Sequence, residues 1–404
     1  MIQNVNTTPK KPSIIFLLMA TMAGIFATNL YIPSFANIVE DLQTDSQSVQ
    51  LTFSVFLLFF GIFQLAHGPL SDRYGRRRLM VFGLIIFIVA SFFAAVSSNI
   101  QWLMVMRVLQ AIGGSCGMVL ARAMVRDVYD KKQSAKIMAY VGMGSGISAA
   151  AAPLIGGLLQ DITGDWRISF YFLSIFALVP LLSVIFLVEE TNKSISRSEY
   201  NFSKMLNGYF FLIRSSSYMC YTIGSGAMNT CFFSFAAAAP FILINSLNAS
   251  PSRIGIILLY ITIGFLVGNF ISSRLSSFIK LEVLVCGGAF VCYFGILVFS
   301  VLAFLGSRSE LSMSLPLSVF GLGSGFVIPP AGVIAVSIRK DIAGTASALY
   351  GFSIFVMGSI GTFITGFIIH NDQKPVALMM LIFGLIAVIC FTFGYFIERF
   401  KTNL

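Results

Sequence analysis

Long uncharged runs alternate with short polar breaks along the whole chain. Twelve runs can be marked, at 13–34, 47–70, 79–98, 100–121, 136–159, 167–188, 217–243, 254–276, 282–305, 312–336, 342–369 and 375–397. Each approaches the roughly 20 residues that a helix needs to cross a ~30 Å hydrocarbon layer. The pattern predicts an all-α membrane protein with twelve transmembrane helices. A transmembrane barrel would instead show short segments of strict alternation. The first run follows Lys10 and Lys11 and is read as a retained span, not a signal peptide.

The breaks leave no room for a soluble domain between spans. The one long connector, 191–216, is polar, charged and Ser-rich, and divides the runs six and six. This predicts a six-helix bundle over 1–190, a cytoplasmic linker over 191–216 and a second six-helix bundle over 217–404. The halves echo each other faintly. Tyr31-Ile32-Pro33-Ser34-Phe35 is matched by Ala238-Ala239-Pro240-Phe241, and Gly68-Pro69-Leu70-Ser71-Asp72-Arg73 by Gly268-Asn269-Phe270-Ile271-Ser272-Ser273-Arg274. A duplicated unit of this kind is the pattern of alternating-access transporters. Glycine-rich stretches inside spans, such as Gly142-Met143-Gly144-Ser145-Gly146, provide small faces for close helix contact.

Composition agrees. Charged residues make up 10% of the 404 and hydrophobic residues 57%, with a mean hydropathy of +0.89. Soluble domains are usually about a quarter charged, so a soluble enzyme is excluded. The net charge of +10 is a matter of topology. With the N-terminus inside, only Arg167, Arg253, Arg308 and Lys374 fall outside, Arg107 and Arg122 fall within the fourth span, and every other Lys and Arg falls inside. The positive-inside rule then places both termini in the cytoplasm, and no nucleic-acid partner is indicated. The six cysteines lie within apolar runs without a CxxC pair, so neither disulfides nor a zinc site is expected. No metal cluster, nucleophile motif or phosphate loop points to an enzyme. His67 and His370 both sit at span ends and read as interfacial residues.

The clearest local motif is Gly68-Pro69-Leu70-Ser71-Asp72-Arg73-Tyr74-Gly75-Arg76-Arg77-Arg78. Gly68 is expected to permit tight contact at the helix end, and Gly75 to allow a sharp turn. Asp72 is expected to face the N-terminus of a neighbouring helix, accept its free N–H groups and latch one half to the other. Arg73 and Arg76, together with Asp127, complete a gating cluster.

This motif resembles the loop signature of the major facilitator superfamily. Arg107-Val108-Leu109-Gln110-Ala111-Ile112-Gly113-Gly114 is similar to the family's fourth-helix motif, and Pro153-Leu154-Ile155-Gly156-Gly157 to the fifth-helix motif of its antiporters. The run from Gln64 to Arg78, with Ala121–Asp127, Trp166-Arg167 and Glu190-Thr191, is similar to the Bcr/CflA group of drug-resistance exporters. The resemblance implies a bacterial inner-membrane secondary transporter of small molecules. It would be a monomer that exports by alternating access, without a bound cofactor, and be driven by a proton gradient if coupled.

A charge in mid-span costs about 2.5–3.5 kcal/mol on insertion scales and normally faces the protein interior. Arg107 is therefore the foremost candidate for substrate or coupling, with Gln110 beside it in the motif. Arg122, some 15 residues on, belongs nearer the inner surface. The related exporters carry an acid in the first helix where this chain has Thr28-Asn29-Leu30-Tyr31-Ile32-Pro33. Asn29 cannot titrate, and every Asp and Glu falls in a loop or at a span end. Proton antiport thus lacks its usual carrier, a buried carboxylate, and two readings stay open. One is an exporter. The other is an importer or uncoupled facilitator of a small anionic or zwitterionic metabolite, whose charge would answer Arg107. Tyr31 and Tyr140, with Phe235 and Met228, are candidates to line the path. Pro153, with Gly156 and Gly157, is expected to break and thin the fifth helix.

Overall fold

Polar residues at the breaks start the helices. In the computed structural model, the side chains of Ser13, Asp45, Asn99, Asp130, Ser215, Ser250 and Ser309 each accept a hydrogen bond from a backbone N–H three residues on. Such caps satisfy donors that a helix leaves free at its start. The structure describes residues 11–192, 202–368 and 372–402; His370 lies outside them. The helices are α1 (Ile14–Asn29), α2 (Phe35–Asp41), α3 (Ser46–Tyr74), α4 (Arg76–Ala95), α5 (Ile100–Val128), α6 (Lys131–Thr163), α7 (Arg167–Phe186), α8 (Phe202–Arg214), α9 (Ser216–Leu247), α10 (Pro251–Leu275), α11 (Leu281–Phe304), α12 (Glu310–Ser337), α13 (Ala343–Gly366) and α14 (Lys374–Thr402). Twelve spans are long and apolar enough to cross a membrane, with α1 and α2 forming one of them and α8 none. The expected all-helical, twelve-span fold is present.

Three differences from the sequence reading matter. The first span does not stop at Ser34: a 3-10 turn over Ile32–Ser34 carries it into α2, which ends at Asp41. Pro33 enters this turn near its start, where its missing N–H costs little. Second, Pro153 does not break the fifth span. Helix α6 runs unbroken from Lys131 to Thr163. Third, part of the polar connector is itself helical, as α8.

Within the first six spans, α5 packs against α1, α3 and α4, and α7 against α1 and α4. Within the last six, α12 packs against α10 and α11, and α14 against α9 and α11. Two seams join the groups, α3 on α13 and α6 on α10. On the first seam, Ser54 Oγ lies 2.8 Å from Thr362 Oγ1, and Ser359 Oγ donates to the Ser54 carbonyl at 2.7 Å. The second seam is a backbone contact. A side chain at Gly157 would meet the main chain of Pro251 and Ser252, and one at Gly156 would strike the Leu30 carbonyl of the first span. Beyond them Asp161 Oδ2 accepts the Ser252 N–H at 3.1 Å, in the first turn of α10. These seam contacts gather toward the end opposite the Arg73–Arg78 run. Nearer that run, Tyr140 and Met143 of α6 are exposed and Gly142 faces open space.

The glycines of two motifs should therefore behave differently. Gly156→Val is expected to cost about 1–3 kcal/mol through backbone displacement, whereas Gly68→Ala, with nothing near its missing Cβ, should leave stability unchanged. Thermal unfolding of the purified protein in detergent would compare them.

Candidate functional site

Arg107 is completely buried, enclosed by side chains of α3, α5, α7 and the turn after α1 and by a main-chain carbonyl of α1. Its Nη1 donates to the Ala27 carbonyl of α1 at 2.9 Å and to Gln110 Oε1 one turn along α5. Gln110 Nε2 passes the chain on to Ser91 Oγ of α4 at 2.8 Å. The guanidinium carbon lies 3.9 Å from the ring centre of Phe56 on α3 and 4.2 Å from that of Tyr31, with Phe170 of α7 at 5.9 Å. Tyr31 is held in turn by Thr52, 3.2 Å from its hydroxyl, and by edge contacts with Phe35 and Phe53. Aromatic faces stabilise a cation electrostatically by ~2 kcal/mol when water is excluded. Nε and Nη2 are left without an acceptor of good hydrogen-bond geometry. The site is thus a fully buried cation held by ring faces, a main-chain carbonyl and the Gln110 side chain.

Asn29 is not among the residues around Arg107. Asn29 turns its amide nitrogen back to the Ile25 carbonyl of its own helix at 3.1 Å, and its Oδ1 is buried without a partner. The first span meets Arg107 through Ala27 and Tyr31. Tyr140 and Arg122 are not among the residues around Arg107. Both are exposed, and Arg122 forms no ion pair among the described residues. Phe56 and Ser91 went unnoticed in the sequence because a Phe or Ser in an apolar run has no local signature. Every Asp and Glu among the described residues lies in a loop or within the first or last turns of a helix, so no carboxylate joins this site.

A second network lies at the Arg73–Arg78 end. Gly75 has φ +96°, a conformation that side chains other than hydrogen rarely adopt, and lets α4 start immediately after α3. Arg76 then folds back. It pairs with Asp72 at 2.5 Å and Asp127 at 3.1 Å, and donates to Ser71 Oγ. Thr191 Oγ1 also donates to Asp127, at 3.2 Å. The carboxylate on a helix N-terminus is Glu190, not Asp72: its two oxygens accept the Arg76 and Arg77 N–H groups of α4 at 2.9 and 3.1 Å. A Cβ at position 75 would collide with this carboxylate. Arg77 is more than a topology anchor, because its guanidinium donates to the Val184 and Ile185 carbonyls at the end of α7. All these residues belong to the first six spans, so here the network ties that group to itself. Arg73 lies over the neighbouring Tyr74 ring. Gly68 provides only a carbonyl, to Ser71 and Arg76, and makes no close packing contact.

At the opposite end Arg167 pairs with Asp41 at 2.8 Å and stacks on Trp166, whose indole N–H donates to the same carboxylate at 3.1 Å. The extension of the first span into α2 makes this contact possible.

Lysine should not replace Arg107. It keeps the charge but loses the planar fork that reaches Ala27 and Gln110 while lying flat between two rings. Arg107→Lys is expected to be less stable than Arg107→Met by about 1–3 kcal/mol, the cost of a poorly compensated buried charge, as read by thermal unfolding. Glu190→Ala is expected to lower stability by about 1–2 kcal/mol, through two lost charge-assisted hydrogen bonds.

A family model described as Major Facilitator Superfamily matches residues 17–362. The chain is similar to Multidrug resistance protein D of Escherichia coli (strain K12), with 26% identity over 377 residues, 93% of this chain and 94% of that protein. It is also similar to a chloramphenicol resistance protein of Pseudomonas aeruginosa, with 27% identity over 365 residues, 87% of this chain and 83% of that protein. Among solved structures it superposes on a D-xylose-proton symporter with a TM-score of 0.75 at 13% identity, over 94% of this chain and 96% of that one.

Proposed function

The chain belongs to the Major Facilitator Superfamily, and from that membership we propose that it is a multidrug- or metabolite-efflux transporter of a bacterial inner membrane. The observation that carries this reading is the near full-length similarity to two proteins named for resistance to drugs. The groups of spans before and after the 191–216 connector act as two bodies that rock about a central site. The Arg73–Arg78 end and both termini face the cytoplasm, in line with the excess of basic residues there. One chain provides all twelve spans and works as a monomer, without a cofactor. Cells with the protein should accumulate less of an exported compound than cells without it; higher accumulation would instead favour an importer.

Proton coupling is the finer question. A buried carboxylate is the usual carrier because burial raises its pKa toward working pH, and here the first span has Asn29 instead. We infer that Arg107 takes its counter-charge from the cargo. Its Nε and Nη2 nitrogens, left without a well-placed acceptor, favour compounds with an anionic or zwitterionic group. Any proton coupling then runs through peripheral acids such as Asp127, Glu40 or Asp41. The same lack of an acid supports a second reading, a facilitator without coupling.

Counterflow in proteoliposomes tests this. The unsubstituted chain should show little dependence on pH, and Asn29→Asp should acquire one, because it puts a carboxyl at a buried position of the first span. Steep pH dependence in the unsubstituted chain would overturn the role given to Asn29. Full transport of an anionic cargo by Arg107→Ala would overturn the role given to Arg107.

A further inference from the structure

Helix α8 is too short to span a bilayer and yet is not folded away. Gly208 and Leu212 on one side are buried, with Gly208 facing Thr345 and Ile342 at the start of α13. On the other side Phe210 is 60%, Phe211 43% and Ile213 52% exposed. Only Ser215 separates α8 from α9, which enters the membrane at Ser216. The exposed apolar side chains therefore lie at the edge of the lipid-facing belt, on the basic end of the molecule. Between 202 and 214 the chain carries Lys204 and Arg214 and no acid. Arg339 adds a guanidinium 4.5 Å from the Phe211 ring centre, although its charge is shared with Asp341. An apolar face with a cationic rim, continuous with a transmembrane surface, is the chemistry of a helix lying in the headgroup region.

We propose that α8 docks on the inner leaflet, with Phe210, Phe211 and Ile213 among the acyl chains and Arg214 at the headgroup of an anionic phospholipid. The occupant is lipid and not a soluble protein, because α9 holds this face at membrane depth and its rim charge matches anionic headgroups. Docking has a mechanical consequence. Helix α8 backs onto the first turn of α13, which also receives the Tyr218 hydroxyl through the Ala346 carbonyl at 2.8 Å. Helix α13 in turn forms the seam with α3. Lipid that holds α8 thus restrains the inner end of a seam helix.

The test uses Phe210→Trp in the full chain, reconstituted in phosphatidylcholine vesicles with and without phosphatidylglycerol. Emission is read as the difference from the unsubstituted protein, which removes Trp102 and Trp166. The new indole should be blue-shifted and lose roughly half its emission when the acyl chains are brominated. Phosphatidylglycerol should increase that loss, and Arg214→Gln should abolish the increase. Ile213→Trp, on the same face, should repeat the quenching. Water-like emission from both indoles, quenched by acrylamide and not by brominated chains, would overturn the proposal and leave the face to a soluble partner. An unchanged response to phosphatidylglycerol in Arg214→Gln would overturn the headgroup contact.

Discussion

A guanidinium buried without a carboxylate organises the first six spans. Inside a membrane protein an isolated charge is tolerated only where surrounding dipoles replace its lost hydration. Arg107 obtains this from a main-chain carbonyl on α1, an amide and hydroxyl relay to α4, and the ring faces of Phe56 and Tyr31. Each contribution comes from a different segment, so the charge is compensated only when they are assembled. The first span must bring Ala27 and Tyr31 to the same cation, and the 3-10 turn that follows at Ile32–Ser34 fixes the direction of the chain beyond Tyr31. That turn also extends the span into α2, which delivers Asp41 to Arg167 at the surface.

The two ends of the molecule use one chemical device in different ways. At the basic end Glu190 accepts the first free N–H groups of α4, within the first six spans. At the opposite end Asp161 of α6 accepts an N–H in the first turn of α10, across the seam. A carboxylate on a helix N-terminus is favourable because it meets unpaired donors and the positive end of the helix dipole together. The sequence motif around Asp72 suggested this contact between the groups at the basic end. It is found between the groups at the other end, made by an Asp outside any recognised motif.

Much of the architecture was legible. The uncharged runs located all twelve spans, because hydrocarbon admits few charges and the helix must cover a fixed thickness. Apart from Ser13, the capping residues lie outside the apolar runs, so the pattern alone placed several ends a few residues short. Arg107 stood out for the same reason as the spans: a lone charge in an apolar run is costly and conspicuous. Its partners did not stand out, since Phe56, Ser91 and the Ala27 carbonyl are ordinary until three helices meet. Rotation about the helix, which an apolar run does not reveal, turns Asn29 away from Arg107. The amide of Asn29 bonds to its own helix at Ile25. Pro153 misled for a related reason. Proline in a membrane helix removes one hydrogen bond, but neighbouring groups can satisfy the freed carbonyl, and α6 continues through it.

The position of these contacts bears on how the proposed exchange between two states would be driven. The Asp161–Ser252 contact between the two groups lies at a helix end, where water can replace either partner. Such contacts are each worth only ~0.3–1 kcal/mol when exposed. Breaking them on one side while forming others elsewhere changes the free energy little, which is the condition for two conformations to be populated and for a cargo to tip the balance. The Arg107 assembly is different, because its charge is completely buried. It would move with one group of spans while the seams open and close around it. All of its contacts come from α1, the turn after it, and α3, α4, α5 and α7, and none crosses a seam. The expensive charge is confined to one moving body, and the inexpensive contacts are placed between the bodies.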